Sequence, residues 1–307
     1  MKSIITRHQL LPTIFTVIGI LSVLIFPSIG DAVSNGYVIG LFIGIYILYQ
    51  IISLLFYKKD TYRQVTADIV SIILVLFILW ELLTNRFGIL TSFVYPTPGE
   101  VLLQFQEDRA ELVVHLFSSV RLLVSGYLLA VCLAIPLGMI SAWYGRLDRV
   151  MRPISSVLAP IPPIVLIPYA ISILPSFAAS STFIIFIGAF WPIFVAALNG
   201  VAGIDRRYIS SARTLGVNNW TLFRKIILPA ALPSIFTGLT IGMILSFILL
   251  TAAEMIGANA GVGYYVKLAT DFGNYSQVVA GIIFIGLIVT VVMTILTQLE
   301  RYLLRWR

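Results

Sequence analysis

Histidine is the usual carrier of protons near neutral pH, and this chain has two, His8 and His115. Its single cysteine, Cys132, lies inside the apolar run YLLAVCLAIPLG. That stock leaves almost no material for a Ser/His/Asp triad, a multi-histidine metal site, a thiolate cluster or a disulfide framework. No G-x4-G-K-[ST] loop occurs, so the chain is expected to be no enzyme and to hold neither a metal nor a cofactor. Three ionisable residues stand in or at the ends of apolar runs: Glu81, Arg121 and Glu254. Such charges are costly in a bilayer and act either as boundary anchors or as parts of a gate or passage. Prolines add a second signal. LAPIPPIVLIP carries Pro160, Pro162, Pro163 and Pro168, and Pro136 and Pro192 interrupt two further runs. Each removes a helix donor, and broken helices often line pathways. The candidates for a path or gate are therefore Arg121, Pro162, Pro163, Trp191 and Glu254.

The elements that must position these residues are membrane spans. Charged residues are 11% of the chain, hydrophobic ones 59%, and mean hydropathy is +1.01. Soluble domains carry about 25% charged residues, so lipid must serve as part of the solvent. Hydropathy predicts eight spans: Leu11 to Phe26, Val38 to Phe56, Ile69 to Leu83, Leu122 to Trp143, Val157 to Leu174, Phe183 to Val201, Ile235 to Ala253 and Val278 to Leu299. The first also fits a signal peptide cleaved at the small residues before Asp31. With the N-terminus inside, sixteen of the 20 Lys and Arg residues fall on the inner side, leaving Arg86, Arg109, Arg121 and Lys267 outside. Both termini are then cytoplasmic, and the net charge of +7 reads as topology rather than as a nucleic-acid patch. The three ionisable residues come out near the outer boundary. There they are interfacial anchors, with Arg121 free to pair with an acid, or gate residues.

Between the third and fourth spans, YPTPGEVLLQFQEDRAELVVHL sets Val101, Leu102, Phe105, Leu112 and Val113 among acids, as an interfacial amphipathic helix would. Residues 205–233, between the sixth and seventh spans, are too polar to cross. Tyr208, Ala212 and Leu215 fall on one helical face; after Gly216, a second short helix groups Trp220, Phe223 and Ile227, opposite Arg224 and Lys225. Two small helices joined by a left-handed turn at Gly216 would present Arg206, Arg207 and Arg213 to a partner. A basic anchor lying on the lipid surface has the same composition.

Spacing adds a resemblance. Gly216, nine residues, Ile226, one residue, then Leu228 and Pro229 is similar to the signature EAA-x3-G-x9-I-x-L-P of type I ABC importer permeases. PTPGEV, IPLG, LAPIPP, SARTLG, LFRKIILPAALPSIFTGL, TAAEMI, GVGY and ERYLLRWR extend it over about residues 64–307 and resemble the nitrate, sulfonate, taurine and bicarbonate branch. The resemblance implies an all-α integral membrane protein, a MetI-like bundle of about eight transmembrane helices. Residues 1–63 would supply two extra N-terminal helices and residues 64–307 the permease domain, with a coupling loop at 202–233. Ser210, Ser211 and Ala212 match the EAA triplet, the first two departing from it, and with Arg213, Gly216, Ile226, Leu228 and Pro229 they would dock on an ATPase.

The family's partners would be a cytoplasmic ABC ATPase dimer that binds ATP, an extracytoplasmic substrate-binding protein, a second permease subunit as a homodimer, and membrane lipid. The resemblance also implies alternating access for a small anion such as nitrate, a sulfonate, taurine or bicarbonate, with Arg121 as the near-membrane cation to meet it. Riboflavin or a thiamine-precursor pyrimidine is the alternative cargo. An ion-coupled secondary transporter would need acids or histidines at mid-span, and often an inverted repeat, neither of which is evident. An intramembrane protease would need a deep serine or acid dyad.

Overall fold

The computed structural model describes residues 7–28, 32–55, 60–91 and 93–305. The proposed cleavage site before Asp31, and Lys2, Lys58, Lys59 and Arg307 of the charge count, lie outside the described residues. Every regular element among the described residues is helical. Packing divides the chain into two compact units, Met1–Ala110 with Leu268–Ile282, and Glu111–Lys267 with Ile283–Arg307.

In the first unit, α1 (Arg7–Ile25), α2 (Ala32–Leu55) and α3 (Asp60–Glu81) pack through Val23, Val38, Phe42, Leu74 and Ile78. A π-helical turn, Leu82–Arg86, ends α3. The loop that follows leads into α4 (Pro98–Glu107) through a capping box: the Thr97 hydroxyl accepts from Glu100 N–H and the Glu100 carboxylate from Thr97 N–H. The interfacial helix expected across residues 95–116 is therefore two pieces. α4 turns Val101 into the protein and packs on α2, and the rest opens the next helix.

The second unit is built on α5 (Arg109–Trp143), α8 (Phe177–Ala202) and α11 (Leu228–Gly257), with Ile193, Ala197, Ala231 and Ile235 fully buried among them. Between α5 and α8 lie α6 (Gly145–Leu158), a 3-10 turn Pro163–Leu166 and α7 (Ile167–Ile173). After α8 come α9 (Arg206–Thr214), α10 (Asn219–Leu222) and a second π-helical turn, Phe223–Ile227. α12 (Val262–Asp271) and α13 (Tyr275–Leu303) complete the chain.

Among the described residues six helices are long and apolar enough to cross a membrane, and the bent pair Gly145–Leu158 with Pro163–Ile173 makes a seventh if it counts as one span. The first expected span is a shorter apolar helix, Leu10–Ile25. The fifth bends by 74° because consecutive prolines withdraw the donors on which a helix depends. Pro136 and Pro192, expected to interrupt their spans, lie inside α5 and α8, which continue through them. A single lost donor costs a few kcal/mol and is offset by packing along a 35-residue or 26-residue helix.

Candidate functional site

α9 starts where the Asp205 carboxylate accepts from Arg207 N–H at 2.9 Å. It stops through a pair of closing bonds, Gly216 N–H to the Arg213 carbonyl and Val217 N–H to the Ala212 carbonyl, the pattern of a Schellman motif. Gly216 sits at φ +70°, with open space where a Cβ would stand, so the need for glycine is conformational rather than steric. Asn218 then caps α10 by accepting from Thr221 N–H at 2.8 Å. Ile226 lies in the π-helical turn, and Leu228 and Pro229 open α11, where proline's missing N–H costs nothing. The second short helix of the sequence reading is thus the root of the following span rather than a separate element.

Burial sorts the expected residues. Ser210, Ser211, Arg213 and Gly216 are exposed, whereas Ala212 is buried beside Leu222 and Ile227. Ile226, Leu228 and Pro229 are half-buried. The two apolar faces read from periodicity are corrected: Tyr208 is 67%, Leu215 81% and Trp220 70% exposed. α9 has only nine residues, so Leu215 already lies beyond its last turn, and the π-helical turn rotates Ile227 away from Trp220. Arg213 lies over the Trp143 ring, 5.9 Å from its centroid. The outcome is a basic surface with three large unburied apolar side chains on capped, well-defined backbone.

The path residues fall into three places. Pro163 and Trp191 line one cavity of about 460 Å³ with Gly188, Pro192, Asn199 and Thr237, between the broken span, α8 and α11. Pro162 is exposed at the head of the 3-10 turn beside it. Asn199 was not anticipated, although a lone amide in FVAALNGVA was the available signal. Its Oδ1 accepts from Arg152 Nη1 at 3.0 Å, which orients the amide; Arg152 is itself held by Asp148. Arg121 is elsewhere, on a groove between α5 and α8, and among the described residues it has no acid partner.

Glu254 is 1% exposed, which corrects the expectation of a snorkelling anchor. Its Oε1 accepts from the Ser119 hydroxyl at 2.6 Å and its Oε2 from Gly263 N–H at 2.8 Å. Ser119 Oγ also accepts from Val262 N–H at 2.8 Å, and His115 Nδ1 accepts from Gly261 N–H at 3.0 Å. The first N–H groups of α12, unpaired within the helix, are thereby satisfied by α5 and α11 side chains. Gly261, at φ +133°, allows this approach, since a Cβ there would run into the Glu254 carboxylate. His115, expected outside the spans, is buried within α5, with Glu111 3.3 Å from its Nε2. Glu111, His115 and Ser119 are spaced four apart, a helical face that the loop reading of this stretch obscured.

Comparison with known proteins identifies the family. The taurine transport system permease protein TauC of Escherichia coli (strain K12) is 30% identical over 251 residues, 80% of this chain and 90% of that protein. The nitrate import permease protein NrtB of Synechocystis sp. is 30% identical over 227 residues, 70% of this chain and 81% of that protein. Among solved structures, an inward-facing form of the MetNI methionine ABC transporter matches with a TM-score of 0.55 at 19% identity, covering 64% of this chain and 97% of the other, a likeness of fold alone. The family described as binding-protein-dependent transport system inner membrane component matches residues 134–306. This chain belongs to that family: it is a multi-pass inner-membrane permease of the type I ABC importer class, in the branch of the nitrate, sulfonate and taurine permeases.

Proposed function

We propose that the chain carries a small anion across the membrane by alternating access, driven by ATP that a separate cytoplasmic ATPase dimer binds and hydrolyses. The observation that carries the reading is the α9 to α11 segment, where the family signature coincides with a Schellman turn, a π-helical turn and three exposed apolar side chains. Ser210, Ser211, Arg213 and Gly216 form its outer face, with Tyr208, Leu215 and Trp220 as apolar contacts. Ala212, Ile226, Leu228 and Pro229 fix that face to the core. With Ser210 in place of the signature's glutamate, the contact rests on shape and on Arg206, Arg207 and Arg213.

Orientation follows the charge bias, with both termini and this segment cytoplasmic. The cavity at Pro163 and Trp191 is the translocation path. At about 460 Å³ it falls within the usual range for a small-molecule site, and the Asn199 amide offers donors to an anion. Glu254 ties α12 at the outer gate. The relatives' names support an anion such as nitrate, a sulfonate or taurine, and the family's description a dependence on an external binding protein. That protein delivers the anion to a homodimer of this chain.

The test is copurification with the ATPase together with uptake. Leu215→Asp alters a side chain that is 81% exposed and leaves the core alone. It is expected to abolish ATPase capture and uptake at unchanged expression and monodispersity. Intact capture and uptake in Leu215→Asp and in Gly216→Val would refute the coupling assignment.

A further inference from the structure

A groove of about 610 Å³ runs between α5 and α8, apart from the Pro163 and Trp191 cavity. On α5 it is lined by Arg121, Ser125, Leu129 and Leu133, spaced four residues apart on one helical face; Thr182, Phe183 and Phe186 face them from α8. Gly126 lets the two helices close behind it, since a Cβ there would stand 2.7 Å from Ile185 and 2.8 Å from the Thr182 carbonyl oxygen. The groove grades from charge through hydroxyl to hydrocarbon. Arg121 is exposed at one end without an acid partner among the described residues. Ser125 and Thr182 hydroxyls meet at 2.9 Å next to it, and Leu129, Leu133 and Phe183 are each more than 40% exposed beyond.

Depth fits the same gradient. The Trp143 end of α5, followed by exposed Tyr144 and three arginines (Arg146, Arg149 and Arg152), marks one membrane interface. A hydrocarbon core about 30 Å thick takes about 20 helical residues, which counted back from Trp143 reaches Leu123. Arg121 is then level with the head groups of the opposite leaflet. Ser125 lies about 6 Å deeper and Leu133 about 18 Å deeper, close to the half-thickness of the core.

The geometry points to a bound anionic phospholipid of that leaflet. Its phosphate pairs with Arg121, its ester region lies at the Ser125 and Thr182 hydroxyls, and an acyl chain fills the groove along Leu129, Leu133, Phe183 and Phe186. Ser125 now donates to the Leu122 carbonyl and can turn to an ester oxygen without leaving that helical acceptor bare. A small hydrophilic cargo would use the arginine but has no use for a groove of leucines and phenylalanines.

Native mass spectrometry of the purified full-length chain, titrated with phosphatidylglycerol against phosphatidylcholine, tests the assignment. One phosphatidylglycerol per chain is expected to resist delipidation. Arg121→Gln should weaken it about fivefold or more without changing phosphatidylcholine binding, Arg121→Lys should restore most of the preference, and Leu129→Trp should weaken both lipids. Equal binding of the two lipids by the unaltered chain overturns the proposal even if a variant fails to fold. So does displacement of phosphatidylglycerol by inorganic phosphate, nitrate or taurine at millimolar concentration, which would make Arg121 a site for free anions. High-yield crosslinking between copies carrying Leu133→Cys also overturns it, by placing a second chain in the groove.

Discussion

Two buried glutamates in apolar helices receive opposite treatments. Glu81, in the first unit, is fully buried and meets a cation: its Oε1 accepts from Arg86 Nε at 2.9 Å and from Asn85 Nδ2 at 2.8 Å, and pairs with Arg86 Nη2 2.8 Å away. Arg86 also donates to the Phe26 carbonyl at 2.8 Å and to Asn35 Oδ1 at 2.6 Å, so one guanidinium ties the end of α1 and the start of α2 to α3. Glu254, in the second unit, meets donors without formal charge, the Ser119 hydroxyl and the Gly263 N–H at the start of α12. An ion pair fixes three helices through one rigid fork. A carboxylate at a helix start draws on many small dipoles and positions one short element. The first gives α1 and α2 a polar tie to α3; the second holds a short helix by bonds that can be exchanged one at a time.

If that contrast is right, the largest effect belongs to Arg86→Leu. It leaves the Glu81 carboxylate buried without its cation, and breaking a buried pair from one side costs about 3–5 kcal/mol. Thermal unfolding of the detergent-solubilised chain should show a fall in midpoint larger than for any variant of the Glu254 cluster. The double variant Glu81→Leu with Arg86→Leu should recover most of the loss, because removing both charges also removes the desolvation cost. A double variant as damaged as the single one would mean that the helix tie, not charge compensation, is what Arg86 contributes.

Much of this architecture was legible in the sequence, and the losses have a common cause. Span positions follow from hydropathy because lipid forces every backbone group to bond within its own helix. The turn at Gly216 was readable because a left-handed residue has few occupants. Unreadable was any property that depends on two distant segments meeting. Glu81 and Glu254 were counted to the boundary by helical rise alone, and nothing local revealed that Arg86, beside Glu81, reaches Phe26 and Asn35 from 60 and 51 positions away or that Ser119 faces Glu254 from 135 positions away. Ala212 reads as part of a docking triplet, yet it is buried in the core, because burial is set by α10 and α11 folding back over it.

A smaller effect is expected from Ser119→Ala. The hydroxyl donates to Glu254 and accepts from Val262 N–H, so its removal leaves an acceptor and a donor short of a partner in a buried place. About 1–3 kcal/mol is the usual cost. Because the bonds serve the start of α12, hydrogen exchange at Val262 to Tyr265 should rise while that of α8 stays unchanged. Uniform acceleration across both helices would show that Glu254 supports the whole unit instead.

The smallest effect, and the sharpest check on the comparison, is Glu111→Gln. Glu111 is 49% exposed, and its carboxylate lies 3.3 Å from His115 Nε2 at an i,i+4 spacing. A helical i,i+4 pair whose carboxylate faces solvent contributes about 0.2–0.5 kcal/mol, and glutamine keeps an oxygen that can still accept from the ring. The buried side of the ring is different: Nδ1 accepts from Gly261 N–H, which puts the ring proton on Nε2 without help from a carboxylate. Glu111→Gln should therefore leave the unfolding midpoint and the exchange at Val262 almost unchanged. If it instead loosens α12 as much as Ser119→Ala does, then charge on Glu111 is holding His115. The second unit would then rely on a formal ionic contact after all, as the first does at Glu81.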